Sequence, residues 1–182
     1  MLIATATEIC GVMVVRSRRV ADSRGSFSRW FCASELSAFT AGKPVVQVNQ
    51  SFNASVGTVR GLHYQRSPHA ETKLVRCLRG RIWDVALDLR KDSPTFLRWH
   101  AEVLQPEVDS MLVIPEGCAH GFQVLEADSE ILYLHTAAYA KEFEGGVRYD
   151  EPRAAIQWPL SISQISARDA AHPRLNADFF GS

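Results

Sequence analysis

No apolar run in this chain approaches the roughly 18 residues that a helix needs to cross a bilayer, so a membrane anchor is not expected. Charge of one sign is also missing. The 20 basic and 20 acidic side chains cancel to a formal net charge of +0. No broad field therefore draws nucleic acid, and an anionic ligand must be held by a local cluster of Arg and Lys. Cysteine is sparse: Cys10, Cys32, Cys77 and Cys118 stand far apart with no Cys-x-x-Cys pair. That pattern excludes a disulfide scaffold and reads as reduced thiols of a cytoplasmic protein. The opening Met-Leu-Ile-Ala-Thr-Ala-Thr-Glu carries no basic leader, so secretion is not expected. The sequence has no Gly-rich phosphate loop, Walker pattern or serine nucleophile elbow, which removes nucleotide hydrolysis and serine-hydrolase chemistry.

What the chain does have is alternation. Its 182 residues suit one domain, 1–182, long enough to bury a sizeable core. A β-branched run over 12–15 predicts a strand, followed by turn chemistry in Ala21-Asp22-Ser23-Arg24-Gly25. A short helix is predicted near Ala33, capped by Ser34 and stopped by Gly42-Lys43-Pro44. Beyond Pro44 the period becomes that of strands, over 45–52, 58–64 and 73–78. Along 81–90, Ile82, Asp84, Ala86 and Asp88 face one way and Trp83, Val85, Leu87 and Leu89 the other, giving one strongly apolar face. Segments 97–104 and 110–114 read as further strands, and 120–125 is expected to pair with 130–136 across Glu126-Ala127-Asp128-Ser129. Many short strands with few helical periods argue for an all-β sandwich or barrel of the jelly-roll kind, with short peripheral helices. From Tyr139 the alternation fades. Gly145-Gly146, Pro152, Pro159 and Pro173 predict loops, Ser166-Ala167-Arg168-Asp169 opens one turn of helix, and 176–182 is expected to fray.

The stretch 60–73, Arg-Gly-Leu-His-Tyr-Gln-Arg-Ser-Pro-His-Ala-Glu-Thr-Lys, concentrates the chemistry. His63 is a natural general base if a carboxylate fixes its tautomer, and Asp84, Asp88, Asp150 and Asp169 are all candidates for that partner. Arg60 and Lys73 flank it, able to hold an anionic substrate or to stabilise an enolate beside a carbonyl. His120 follows the turn Pro115-Glu116-Gly117, which aims it at the barrel mouth, and Tyr133 in an apolar strand is a possible proton donor. His63, His69, Glu71 and His120 approximate the ligand order of a metal-binding jelly roll. Pro68 separates the first two, however, whereas paired ligands on one strand occupy alternate positions, so no metal is expected.

Arg60-Gly-Leu-His-Tyr-Gln65, Lys73-Leu-Val-Arg76, Asp84-Val-Ala-Leu-Asp-Leu-Arg90 with Ser93-Pro-Thr-Phe96, Ile114-Pro-Glu-Gly-Cys-Ala-His-Gly-Phe122, Tyr133 and Ser166-Ala-Arg-Asp169 occur in one order along the chain. Together they resemble the dTDP-4-dehydrorhamnose 3,5-epimerases and their sugar-nucleotide relatives. The resemblance implies a metal-free cupin-type barrel, usually a homodimer, that inverts centres flanking the 4-keto group of a dTDP-linked 6-deoxyhexose without a cofactor.

By the same resemblance, His63 matches the base and Asp169 its carboxylate. Tyr133 matches the acid on the opposite face of the sugar, Lys73 the cation near the 4-keto oxygen, and His120 a residue lining the sugar pocket. Arg24, Gln47, Asn49, Arg60, Tyr139, Glu144 and Arg168 match positions that hold the nucleotide and its diphosphate. The chain departs from the family at Leu134, where Lys is common, at Ala138 of the usual Tyr-Tyr pair, and at Lys141, where Pro is usual. These departures leave open a single-centre 3- or 5-epimerase. A non-catalytic sugar-nucleotide binding barrel and a metal-dependent cupin are the readings from other classes.

Overall fold

The structure, a computed structural model, describes residues 1–176, 178, 179 and 181. Its strands are β1 (Leu2–Ala6), β2 (Met13–Ser17), β3 (Val20–Asp22), β4 (Gly25–Phe27), β5 (Gln47–Asn53), β6 (Thr58–Gln65) and β7 (Lys73–Arg79). There follow β8 (Ile82–Asp88), β9 (Trp99–Leu104), β10 (Ser110–Ile114), β11 (Cys118–Val124), β12 (Ser129–His135), β13 (Glu144–Gly146) and β14 (Gln164–Ile165). The only α-helices among the described residues are the single turns α1 (Ala33–Leu36) and α2 (Ala167–Ala170). Two six-stranded sheets face each other, one in the order β1-β2-β10-β7-β12-β5, the other β13-β6-β11-β8-β9 with β14 beside β6. This is the jelly roll expected from the strand spacing.

Alternation along the strands divides the apolar residues among three layers. Val14, Val75, Leu112 and Ile131 of the first sheet meet Ile82, Ala86, Phe122 and Val124 of the second in the space between the sheets. The back of the second sheet, through Leu62, Val85, Leu87 and Ala119, is covered by C-terminal residues including Val147, Ala154 and Trp158. The back of the first is covered by Leu36 and Phe39 on Val15, Leu74 and Val113. Each fully buried Leu or Ile contributes about 1.5–3 kcal/mol by leaving water.

Strand β8 is therefore buried on both sides. Asp84 and Asp88 share the inward face with Ile82 and Ala86, and both carboxylates are fully buried. Polar residues on that face do not mark solvent: Asp84 meets His120 through one carboxylate oxygen, and Asp88 accepts from Arg90, Ser93 and Thr95.

Several local expectations are corrected. Strands β11 and β12 do not form a hairpin: β11 pairs with β6 and β8, β12 with β5 and β7. The backbone of their connector explains why, since Leu125 N donates to Arg81 and Asp128 N to Ala54, tying it to each sheet in turn. The cap of α1 is Cys32, without a side-chain bond, rather than Ser34; burial of Leu36 holds this turn. Strand β1 had no signal, because its half-exposed Leu-Ile-Ala-Thr-Ala has little polar contrast. The fray expected over 176–182 falls partly on 177, 180 and 182, which lie outside the described residues. The carbonyls of Asn176 and Phe179 accept from Arg153.

Candidate active site

Strand β6 carries His63 opposite His120 of β11 and Gly146 of β13. Its imidazole Nε2 lies 2.9 Å from Asp169 Oδ1. Ser166 caps α2 by accepting from Asp169 N at 3.0 Å, which fixes the acid on the first turn. Gly61 N donates to the other carboxylate oxygen at 3.1 Å. Burial opposes ionisation of Asp169, but the bonds from His63 and Gly61 outweigh it and hold the carboxyl well below its usual range. An ionised carboxylate only accepts, so His63 Nε2 carries the proton and Nδ1 is the nitrogen free to take one. Gly61 is required for the close approach of β6 to β11. Its φ is +110°, and a Cβ there would lie 2.6 Å from both the His120 carbonyl oxygen and Gly121 Cα.

The remaining candidate acids go elsewhere. Asp84 Oδ1 meets His120 Nε2 at 2.7 Å, and burial pushes the Asp84 carboxyl up. Asp88 accepts from Arg90, Ser93 and Thr95, and Asp150 pairs with Arg174.

A cavity of about 720 Å³ opens between the sheets, with His63, Lys73, His120 and Tyr133 in its wall. The buried Lys73 Nζ donates to the His63 carbonyl at 3.0 Å, and burial lowers the pKa of its ammonium. Tyr133 OH is 2.8 Å from Ser51 Oγ, and its ring meets His120 edge-on at 6.1 Å. Burial raises the Tyr133 phenol well above its ordinary range, so it is a proton donor at neutral pH. A carboxylate-held imidazole, a phenol and a buried ammonium thus share one cavity of the size that takes a small ligand.

Around the rim, Gln47 Oε1 accepts from Tyr139 N at 2.9 Å, and Tyr139 OH donates to Glu144 at 3.0 Å. Arg168 reaches the same carboxylate at 3.3 Å. Arg60 Nε donates to Asn53 at 2.7 Å and faces the cavity, as does Asn49. Arg24 is not brought to this cavity: it stands exposed on the β3–β4 hairpin, paired with Asp22.

Among the described residues, His63, His69, Glu71 and His120 do not bring their donor atoms together; His69 lies against Phe143 at 4.4 Å between ring centres. The group of described residues with donors close enough for a cation is His63, Asp169 and His172, all within 4.8 Å. Arg168 already places its guanidinium 3.4 Å from His63 Nε2 and 3.6 Å from Asp169 Oδ1.

Among the cavity-wall residues that the sequence does not mark as site members are Glu71, which reads there only as a metal ligand, and His135. Alternation along β12 was the available signal, since it places His135 on the face of Tyr133.

Residues 6–177 match the family model described as dTDP-4-dehydrorhamnose 3,5-epimerase. The chain belongs to that family. A curated dTDP-4-dehydrorhamnose 3,5-epimerase of Sinorhizobium fredii is 42% identical over 168 residues, covering 92% of this chain and 86% of its own. The Legionella pneumophila 3,5-epimerase, solved in complex with dTDP-4-keto-L-rhamnose, superposes with a TM-score of 0.88 at 35% identity, covering 97% of this chain and 100% of its own. A 3'-monoepimerase from Streptomyces bikiniensis, solved with dTDP-quinovose, gives 0.85 at 31% identity, covering 92% and 85%. Membership makes the chain an isomerase, and it agrees with the cupin-like barrel. No described helix is long and apolar enough to cross a membrane.

Proposed function

We propose that the protein inverts C3 and C5 of a dTDP-linked 4-keto-6-deoxyhexose. The Asp169-held imidazole of His63 removes the proton next to the ketone, Lys73 stabilises the enolate oxygen, and Tyr133 returns a proton to the opposite face. The carbon keeps its oxidation state throughout and the ammonium meets the developing charge, so the scheme calls for neither redox cofactor nor metal. The observation that carries this reading is a single cavity holding a carboxylate-fixed histidine and a protonated, partly buried tyrosine. A binding barrel has no need of that pair.

His120 lines the sugar end, while Arg60, Arg168, Gln47, Asn49, Tyr139 and Glu144 hold the nucleotide and diphosphate. Arg24 takes part from a second copy in a homodimer. Supporting this assembly, Val46, Val48 and Phe52 on or beside edge strand β5, and Phe27 beside Arg24, are more than half exposed. The protein works in the cytoplasm, a reading supported by four free cysteines.

The test is incubation with dTDP-4-keto-6-deoxyglucose in deuterated water, followed by proton NMR. Loss of both the C3 and C5 proton signals is expected. Loss at one carbon assigns a single-centre epimerase, and calorimetric binding without exchange assigns a binding barrel.

A further inference from the structure

Glu71 and His135 line the cavity and have no part in the scheme above. The register of β12 on β7 sets His135 opposite Lys73, and Glu71 lies just before Lys73 in the chain. The Glu71 carboxylate stands between the two: Oε2 is 2.7 Å from His135 Nδ1, and Oε1 is 3.4 Å from Lys73 Nζ. His135 is itself held from two sides. Its Nε2 lies 3.4 Å from Asn49 Nδ2, and its ring stacks on Tyr133 at 6.3 Å.

Glu71 and Lys73 are 9% and 7% exposed, so neither charge is stable alone. A buried ammonium without a counter-charge sheds its proton, and a buried carboxylate takes one up. Burial lowers Lys73, and the carboxylates of Glu71, Glu144 and Asp84 oppose that, with Glu71 first among them. Burial likewise pushes Glu71 up, yet the bond from His135 and the charge of Lys73 leave its carboxyl below the ordinary value. An ionised Glu71 accepts, so His135 Nδ1 donates. Besides these groups, Lys73 faces the His63 carbonyl on β6, while His120 on β11 and Tyr133 on β12 share its cavity.

We propose that Glu71 and His135 are positioning residues for Lys73: the carboxylate keeps the buried ammonium charged and aimed into the cavity, and the imidazole holds the carboxylate in place. The inference rests on the role given above to Lys73 and adds residues that act through it rather than on substrate. Glu71→Gln keeps the shape and an acceptor for His135 but removes the counter-charge. His135→Val leaves Glu71 without its second partner, whereas His135→Asn retains an N–H donor near the position of Nδ1.

The lysines of the chain are Lys43, Lys73, Lys91 and Lys141, few enough to follow one by one. Protein labelled with ¹³C and ¹⁵N at lysine is titrated by NMR, with the Lys73 signal assigned from a Lys73→Arg variant. The Lys73 midpoint is expected to fall by about 1 pH unit or more in Glu71→Gln, by less in His135→Val, and to stay near the wild-type value in His135→Asn. The other lysines do not move. This readout needs no substrate, so it is independent of the epimerase reading, whose failure would show as wild-type protein that exchanges no deuterium. In the exchange assay the basic limb of kcat shifts down with the Lys73 midpoint while KM changes by less than about threefold. An unchanged Lys73 midpoint in Glu71→Gln overturns the inference, as does a midpoint that moves while the basic limb stays.

Discussion

Asp169 Oδ1 lies 2.9 Å from His63 Nε2 although 106 residues separate them in sequence. The pairing leaves one imidazole nitrogen to receive a proton, and both partners are anchored by backbone: His63 by strand pairing, Asp169 by Ser166 and Gly61. His63→Asn is therefore expected to lower the exchange rate by about 10³-fold or more, and Asp169→Asn by about 10²-fold or more. Circular dichroism unchanged from wild type separates loss of chemistry from loss of fold.

Tyr133→Phe removes the acid and keeps the ring that packs against His120 and His135. Abstraction by His63 survives while delivery to the other face fails. Deuterium entering the sugar with retained configuration is expected to exceed inversion, and a roughly 10²-fold drop in epimerised product marks the loss. NMR coupling constants of the recovered sugar check this.

Gly61→Ala tests whether backbone approach sets the site. The added methyl meets the His120 carbonyl and Gly121 on the facing strand, at a φ that side chains rarely adopt. The expected outcome is a loss of about 2–4 kcal/mol of stability in urea, with activity falling further than the unfolded fraction explains.

Asp88 offers a pH signature away from the chemistry. It is fully buried, and its bonds from Arg90, Ser93 and Thr95 overcome the burial that opposes ionisation, bringing its carboxyl to about 2. A depressed carboxyl contributes stability above its unfolded pKa of about 3.9, and that contribution fades as pH falls toward the folded value. Asp88→Asn is accordingly expected to cost about 2 kcal/mol at pH 7, with the gap to wild type narrowing between pH 4 and pH 3. Urea melts across that range measure it.

The jelly roll was legible because its strands alternate: 81–90 and 130–136 show their period without any partner. Pairing was less legible, as at 120–125 and 130–136, because nearness in sequence favours a hairpin and only the opposite sheet reveals the crossover. His63 could be named as a base from its residue type, but four acids were equal candidates until α2 brought Asp169 to it. The resemblance to the epimerases matched Asp169 to the base, and Asp169 Oδ1 is the carboxylate oxygen that lies 2.9 Å from His63 Nε2. Arg24 did not join the cavity, because its hairpin leaves it in solvent beside Asp22. Glu71 and His135 were missed because each becomes meaningful only through Lys73 between the sheets.

Removal of the proton next to the 4-keto group is the step assigned to His63. A time course of deuterium incorporation into dTDP-4-keto-6-deoxyglucose, run side by side with wild type and His63→Asn, tests it most directly. Uptake at C3 and C5 is expected with wild type, and none above the uncatalysed rate with the variant. Equal uptake by the two proteins, or none by either, would contradict it.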